Sequence, residues 1–264
     1  MFSKSIFLML FVFTLTACSG NEATEANRNE TSLNSLTNEE REAGWELLFD
    51  GNNLNGWRGL GIQNIPEGHW IIEDGSIRKV ASDDVARADD GQPVGGGDIL
   101  YDQPFENYEF SFEWKVSPGA NSGIKYNVSE ELSLSNSPET AALGFEYQVL
   151  DNNLHPDAEN DPNRTAGGLY DLIPPSSYAK PNPVGSWNTG RIVFNGNRGE
   201  HWLNGKLSVE YELNTYMMDR LIETSKYGDN PDFKIRRKDG YIVIQDHGDD
   251  VWYRNLKIRE LTQE

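Results

Sequence analysis

The feature that most constrains this chain is a two-residue alternation of apolar and polar side chains, recurring between turn signals. In "YEFSFEWKV" (108–116), Phe110, Phe112 and Trp114 share one face while Glu109, Ser111, Glu113 and Lys115 share the other. That is the pattern of a strand buried on one side. "GFEYQVL" (144–150) sets Phe145, Tyr147 and Val149 opposite Glu146 and Gln148. "YIVIQDHG" (241–248) sets Ile242, Ile244 and Asp246 opposite Tyr241, Val243, Gln245 and His247. Other strand-like stretches are "WELLFDG", "HWIIEDGSIRKV", "GDILYD", "SGIKYNV", "WNTGRIVFNG", "EHWLNGKLSVEYEL" and "VWYRNLKIREL". Asp50-Gly51, Asp74-Gly75, Asn204-Gly205 and Asp239-Gly240 mark turns, because these residue types tolerate positive φ. Thr37 and Glu40 have capping-box spacing for a short helix stopping at Gly44, and "TYMMDRLIETSKY" is the other helical stretch. Many strands without alternating long helices predict an all-β, two-sheet sandwich with one or two short helices.

The start of the chain departs from that pattern. Its apolar run, Ile6 to Leu15, is shorter than the roughly 20 residues a spanning helix needs. It fits the apolar region of a secretory signal. Cys18, the one cysteine, follows "LTA", and "LTAC" resembles the bacterial lipobox, whose cysteine is lipidated and becomes the mature N-terminus. The expectation is a signal peptide over 1–17, a flexible Ser/Asn/Glu/Thr-rich tether over 18–36, and one domain over 37–264. Lipidation of Cys18 would leave no thiol for disulfides, thiolate zinc sites or nucleophilic catalysis. The expected location is the bacterial cell envelope, at the periplasmic side or the surface, with membrane contact through the lipid only. A net charge of −19 argues against nucleic acid, whose phosphates need a basic surface. The oligomeric state is left open.

The polar strand faces carry a functional expectation. A bent sandwich with polar and aromatic residues across one sheet makes a groove suited to sugars, which stack on rings and need hydrogen-bond partners. After Glu146 and Gln148 the chain enters "DNNLHPDAENDPN" (151–163), with Asp151, His155 and Asp157. A calcium site using Asp151, Asn153, Asp157 and Asp161 competes for this loop, but the spacings do not match an EF-hand. No cofactor is expected; a divalent metal such as calcium is not indicated, and metal dependence is left open.

Several pieces, in order, resemble one bacterial family, the 3-keto-disaccharide (3-keto-glycoside) hydrolases. They are "LTNEEREAGWELLFDGNNLNGWRG", "GGDILYDQPFENYEFSFEWKVSPGANSGIKYNV", "GFEYQVLDNNLHPD", "AGGLYDLIPP", "EHWLNGK" and "IVIQDHGDDVWYRNLKIREL", spanning roughly 36–262. The resemblance implies a concanavalin-like jelly roll, a secreted or lipoprotein location, and hydrolase or lyase activity on glycosides oxidised at C3. A C3 ketone acidifies the hydrogen on C2, so a base can start a β-elimination that expels the C1 substituent, and water then adds back. Such a route needs a base near C2, a donor or cation near the C3 oxygen, and an acid near the leaving oxygen.

Glu146 is the leading base or acid, since partial desolvation on a groove-facing strand raises a carboxylate pKa. Gln148 would bind sugar hydroxyls. The strand reads Glu146-x-Gln148-x-Leu150 and not the E-x-D-x-E of jelly-roll glucanases, so it lacks the second acid of an ordinary retaining mechanism. His155 and His247 suit proton transfer near neutral pH. Asp171, beside Tyr170 in "AGGLYD", would orient a histidine or act as acid. Asn121, Tyr170 and Gln245 are candidate substrate contacts, and Lys125 and Arg254 candidate cations for an enolate oxygen. His201 is assigned to packing and His69 to no role. A non-catalytic carbohydrate-binding jelly-roll lipoprotein is the alternative, because fold does not fix function.

Overall fold

The computed structural model describes residues 32–81, 97–135, 142–234 and 239–262. The expected signal peptide, Cys18 and most of the tether lie outside them. From the N-terminus come α1 (Asn38–Glu42), β1 (Trp45–Leu47), β2 (Trp57–Gly59), β3 (Trp70–Glu73), β4 (Ser76–Lys79) and β5 (Ile99–Tyr101). Then follow β6 (Tyr108–Val116), β7 (Asn121–Val128), α2 (Glu130–Ser135), β8 (Phe145–Leu150) and α3 (Pro156–Asn160). The chain ends with β9 (Asn188–Asn195), β10 (Arg198–Leu203), β11 (Lys206–Glu212), α4 (Tyr216–Thr224), β12 (Tyr241–Ile244) and β13 (Val251–Glu260).

The strands form two sheets, so the all-β sandwich architecture is present. One has eight strands in the order β11-β10-β9-β6-β13-β4-β3, with β1 also on β13; the other has five, β2-β5-β12-β7-β8. Every strand pair is antiparallel, which lets each sheet turn one face to the core and the other away. The Asp74-Gly75 and Asn204-Gly205 turns have φ of 48° and 69°, and 49° and 73°. Positive φ at both central positions is what a two-residue hairpin matched to strand twist requires.

The alternating apolar faces meet between the sheets. Phe110, Phe112 and Trp114 of β6 and Tyr147 and Val149 of β8 are buried, with Phe112 and Tyr147 edge to face at 5.2 Å across the gap. Truncating either ring to alanine would cost about 3–5 kcal/mol. One polar relay crosses the core. His201 Nδ1 lies 3.2 Å from the Gly168 carbonyl, which can only accept, so the ring proton sits on Nδ1. Nε2 then accepts from Tyr126 Oη at 2.8 Å, and Tyr126 accepts from Tyr211 Oη at 2.8 Å. Burial pushes the His201 pKa down to about 3, so the imidazole stays neutral.

One boundary and the helix count need correction. Asn34 falls within the segment read as tether, yet it is 7% exposed and exchanges hydrogen bonds with Asn255 and the Gly75 carbonyl. Ordered structure therefore begins before residue 37. Four short α-helices occur among the described residues, against one or two expected. α1 forms with its capping box, and α4 buries Met218 and Ile222 one turn apart. α2 and α3 are the extra pair. α3 is held by Pro156 in its first turn and the His155 cap and buries nothing, so no helical periodicity marks it in the sequence.

Candidate active site

The outward face of the five-stranded sheet is organised in rows. Lys125 pairs with Glu146, Gly123 with Gln148, and Asn121 with Leu150 across β7 and β8. On the other side Val243 sits beside Lys125, and the Gln245 amide bonds the Gly123 carbonyl. This polar floor is almost completely covered: Glu146 is 4% exposed, Lys125 6%, Asn121 2%, and Gln245 3%. Lys125 Nζ lies 3.8 Å from Glu146 Oε2. The carboxylate leans over Gly123, where a Cβ would come within 2.6 Å of Oε1. A glycine is therefore needed here for the acid to lie toward the Asn121 end of the floor. Asn121 Oδ1 and Gln245 Oε1 are buried without a hydrogen-bond partner, as is Oδ2 of Asp98, whose Oδ1 accepts from the Asp246 backbone amide at 2.8 Å. Burial pushes the Asp98 pKa up to about 6, against the pull of the Lys125 charge.

His247 follows β12 at the Asn121 end of this floor and is 7% exposed. Its ring lies 5.8 Å from that of His155, nearly perpendicular at 84°. Asp249, whose Oδ2 accepts from the Asn121 backbone N–H at 3.0 Å, completes a cluster with the two histidines. Ligand atoms from all three lie within 4.8 Å of one another. The segment is fixed from behind by Asp246, which faces inward between Lys79 Nζ at 3.0 Å and His69 Nδ1 at 2.8 Å. A Cβ on Gly97 would overlap Asp246 Oδ2 at 1.6 Å, so this anchor requires glycine. Alternation along β12 then turns His247 to the opposite face from Asp246.

The loop after α3 runs beside β8 and forms a wall. Tyr170 donates its backbone N–H to the Glu146 carbonyl and its hydroxyl to Asp157 Oδ2 at 2.9 Å. Asp171, at φ 59°, accepts from Arg164 Nε at 2.6 Å and from the Lys226 backbone amide at 2.7 Å. With both oxygens so engaged, Asp171 is a brace for this wall and neither a general acid nor a partner of a histidine. Gln148 is corrected too. It is fully buried, its Oε1 accepts from the Val149 amide, and its Nε2 faces the Arg164 carbonyl at 3.4 Å.

Arg254 does not join the site. It lies on β13 of the other sheet, bonded to Glu113 at 2.7 Å and stacked 3.9 Å over Trp187. The alternative calcium set is not assembled either. Asp151 caps the Gly119 and Asn153 amides, Asp161 the Asn163 amide, and Asp157 serves Tyr170 and Arg164. A cavity of about 500 Å³ opens where the floor ends, based on Trp114 and Leu150 and rimmed by Asn152, Asn153, Lys180 and Asn182. Asp98, Asp246, Asp249, Lys79 and His69 were not anticipated as site or anchor residues; for Asp249, the adjacency to His247 in "DHGDD" was the available signal.

A β-sandwich with a buried acid–lysine pair and a histidine cluster on one sheet face has the parts of an acid–base enzyme, and the comparisons place it among carbohydrate-active proteins. The chain belongs to the 3-keto-disaccharide hydrolase family: residues 44–259 match the family described as a 3-keto-alpha-glucoside-1,2-lyase-like domain. It is 35% identical to the 3-keto-disaccharide hydrolase of Bacteroides thetaiotaomicron over 94% of both chains. A solved structure from Parabacteroides distasonis, provisionally described as a glycosyl hydrolase, superposes with a TM-score of 0.74 at 27% identity, covering 87% of this chain and 100% of that one. A second from the same organism gives a TM-score of 0.58 at 25% identity, covering 82% and 99%.

Proposed function

We propose that this protein cleaves 3-keto-glycosides by elimination followed by hydration. The observation that carries the reading is the buried Glu146–Lys125 pair, 3.8 Å apart, on the floor of the five-stranded sheet in a chain of this family. In the proposed sequence Glu146 takes the C2 proton, and the C–H electron pair forms an enolate whose charge rests on the C3 oxygen. The enolate collapses as C3=O re-forms, C1=C2 appears and the C1–O bond breaks. Lys125 gives the departing oxygen its proton. Water then adds to C1 and a proton returns to C2, so the sum is hydrolysis. Acid and base acting on adjacent atoms belong close together. Paired carboxylates in direct displacement are about 5 to 9.5 Å apart. The imidazoles, Asn121 and Gln245 hold the ketone and hydroxyl oxygens.

The concanavalin-like jelly roll implied by the resemblance is part of the same reading, supported by the two antiparallel sheets and their non-sequential strand neighbours. So is a lipid on Cys18 that tethers the domain to the cell envelope; Cys18→Ser is then expected to move the protein from the membrane pellet to the soluble fraction. The activity is tested by offering purified protein a 3-keto-glucoside and its unoxidised parent. Reducing sugar should appear from the first alone. Equal rates on both would remove the enolate from the mechanism, and tight binding without turnover would favour a carbohydrate-binding protein.

A further inference from the structure

The cluster of His155, His247 and Asp249 has a composition that proton transfer alone does not call for. Two imidazoles and one carboxylate, drawn from two separate loops, bring their ligand atoms within 4.8 Å of one another. Asp249 is oriented by the Asn121 backbone N–H, and His247 by the inward anchor of Asp246 on Lys79 and His69. Beside them, Asn121 Oδ1 and Gln245 Oε1 are buried, with no hydrogen-bond partner. Buried polar atoms are normally satisfied, and two that are not, next to a cluster of metal-ligand side chains, call for a functional reason.

We propose that His155, His247 and Asp249 bind one divalent first-row transition cation, with Zn²⁺ and Mn²⁺ as the test ions. Imidazole nitrogen suits Zn²⁺ and the carboxylate suits Mn²⁺, whereas Ca²⁺ and Mg²⁺ take all-oxygen ligand sets. Two histidines and a carboxylate fill three positions and leave others open for substrate, as in catalytic zinc sites and facial-triad metal sites. Ligand bonds of about 2.0–2.2 Å place neighbouring donors about 3.0–3.5 Å apart, so side-chain rotations must draw this cluster together. One consequence concerns α3. His155 Nδ1 now accepts from the Asp157 amide at 3.2 Å. If Nδ1 takes the cation its lone pair is used; if Nε2 takes it, the ring proton must move to Nδ1. Either way this cap is given up.

The inference rests on the 3-keto-glycoside reading for its chemistry. A C3 ketone next to a hydroxyl-bearing carbon is an α-hydroxyketone, whose two oxygens can close a five-membered chelate on a cation with open positions. Charge developing on the C3 oxygen as Glu146 removes the C2 proton would then fall on a Lewis acid.

The test separates the two readings. Full-length protein is stripped with chelator, and titrated with Zn²⁺, Mn²⁺ and Ca²⁺ by calorimetry, with bound metal counted by mass spectrometry. The expected result is one equivalent of Zn²⁺ or Mn²⁺ and none of Ca²⁺. His247→Ala and Asp249→Asn should each weaken binding at least tenfold while keeping the far-ultraviolet dichroism of the parent. Keto-glucoside cleavage should fall at least a hundredfold on stripping and return with metal. No stoichiometric binding, or equal binding by both variants, would overturn the site. Full cleavage by metal-free protein would overturn it too, leaving the keto-glycoside reading intact. One bound equivalent that both variants lose, in a protein with no cleavage, would uphold the site and refute that reading.

Discussion

The two sheets present outward faces that use polar residues in opposite ways. On the eight-stranded sheet, charges are matched within the face. Glu109 binds Arg191 at 2.7 Å and Arg259 at 2.8 Å, Glu113 holds Arg254 and Asn255, and Lys115 lies 4.3 Å from the Trp252 ring. On the five-stranded sheet, Asn121, Gln245 and Asp98 keep buried oxygens with no hydrogen-bond partner beside the Glu146–Lys125 pair. An unsatisfied buried polar atom costs about 1–3 kcal/mol, so the second face is less stable than it could be. Such a cost is expected where polar atoms serve a ligand and not the fold.

This contrast can be broken by substitution. The largest effect should come from Glu146→Gln, which keeps the shape and removes the base. We expect kcat on a 3-keto-glucoside to fall about 10²–10⁴-fold, the usual value of a general base. Glu113→Gln on the other face should change kcat less than twofold. Both are read by steady-state kinetics on material with parental melting curves.

Asp98 supplies a pH test. Its pKa is raised by burial from 3.8 to about 6, so the folded state holds this proton more tightly than the unfolded chain. Stability from this group is therefore fully present below about pH 4 and is lost as pH rises toward 6, for a loss on the order of 3 kcal/mol above it. Asp98→Asn should melt higher than the parent at pH 7.5, and the gain should vanish at pH 4. His201 acts with the opposite sign. A base whose folded pKa is depressed to about 3 loses stability as pH falls below its unfolded value of about 6.5.

Smaller effects sharpen the comparison further. Gln245→Leu removes a buried amide oxygen without a partner, so melting should hold or rise while KM for the keto-sugar increases about tenfold. Arg254→Ala should lower the melting temperature slightly, through loss of the half-buried pair with Glu113 and the stack on Trp187, and leave kinetics unchanged.

How much of this was legible in the sequence follows from the range of each signal. The period-two alternation in β6, β8 and β12 gave the buried faces and set Glu146 and His247 apart from the core. Alternation assigns a face but not a sheet, which is why Arg254 was grouped with residues on the opposite side of the molecule. Gln148 and Asp171 were misjudged because their partners, Arg164 and Lys226, belong to loops whose path no local pattern encodes. His69 and Asp246 meet across 177 positions, and nothing near either residue announces the other. In a chain with 42 acidic residues, Asp98 and Asp249 had no contrast to set them apart. α2 and α3 escaped notice because a helix of five or six residues that buries little has no apolar stripe.

The central claim is that Glu146, on the covered face of the smaller sheet, removes the proton from C2 before the glycosidic bond breaks. The direct measurement is cleavage of a 3-keto-glucoside in D₂O, with isotope content at C2 of the released sugar followed by NMR through the first turnovers. This account predicts one solvent deuterium at C2, arriving no more slowly than cleavage, and none from Glu146→Gln beyond the uncatalysed background. Release of product with its original C2 hydrogen intact would contradict it.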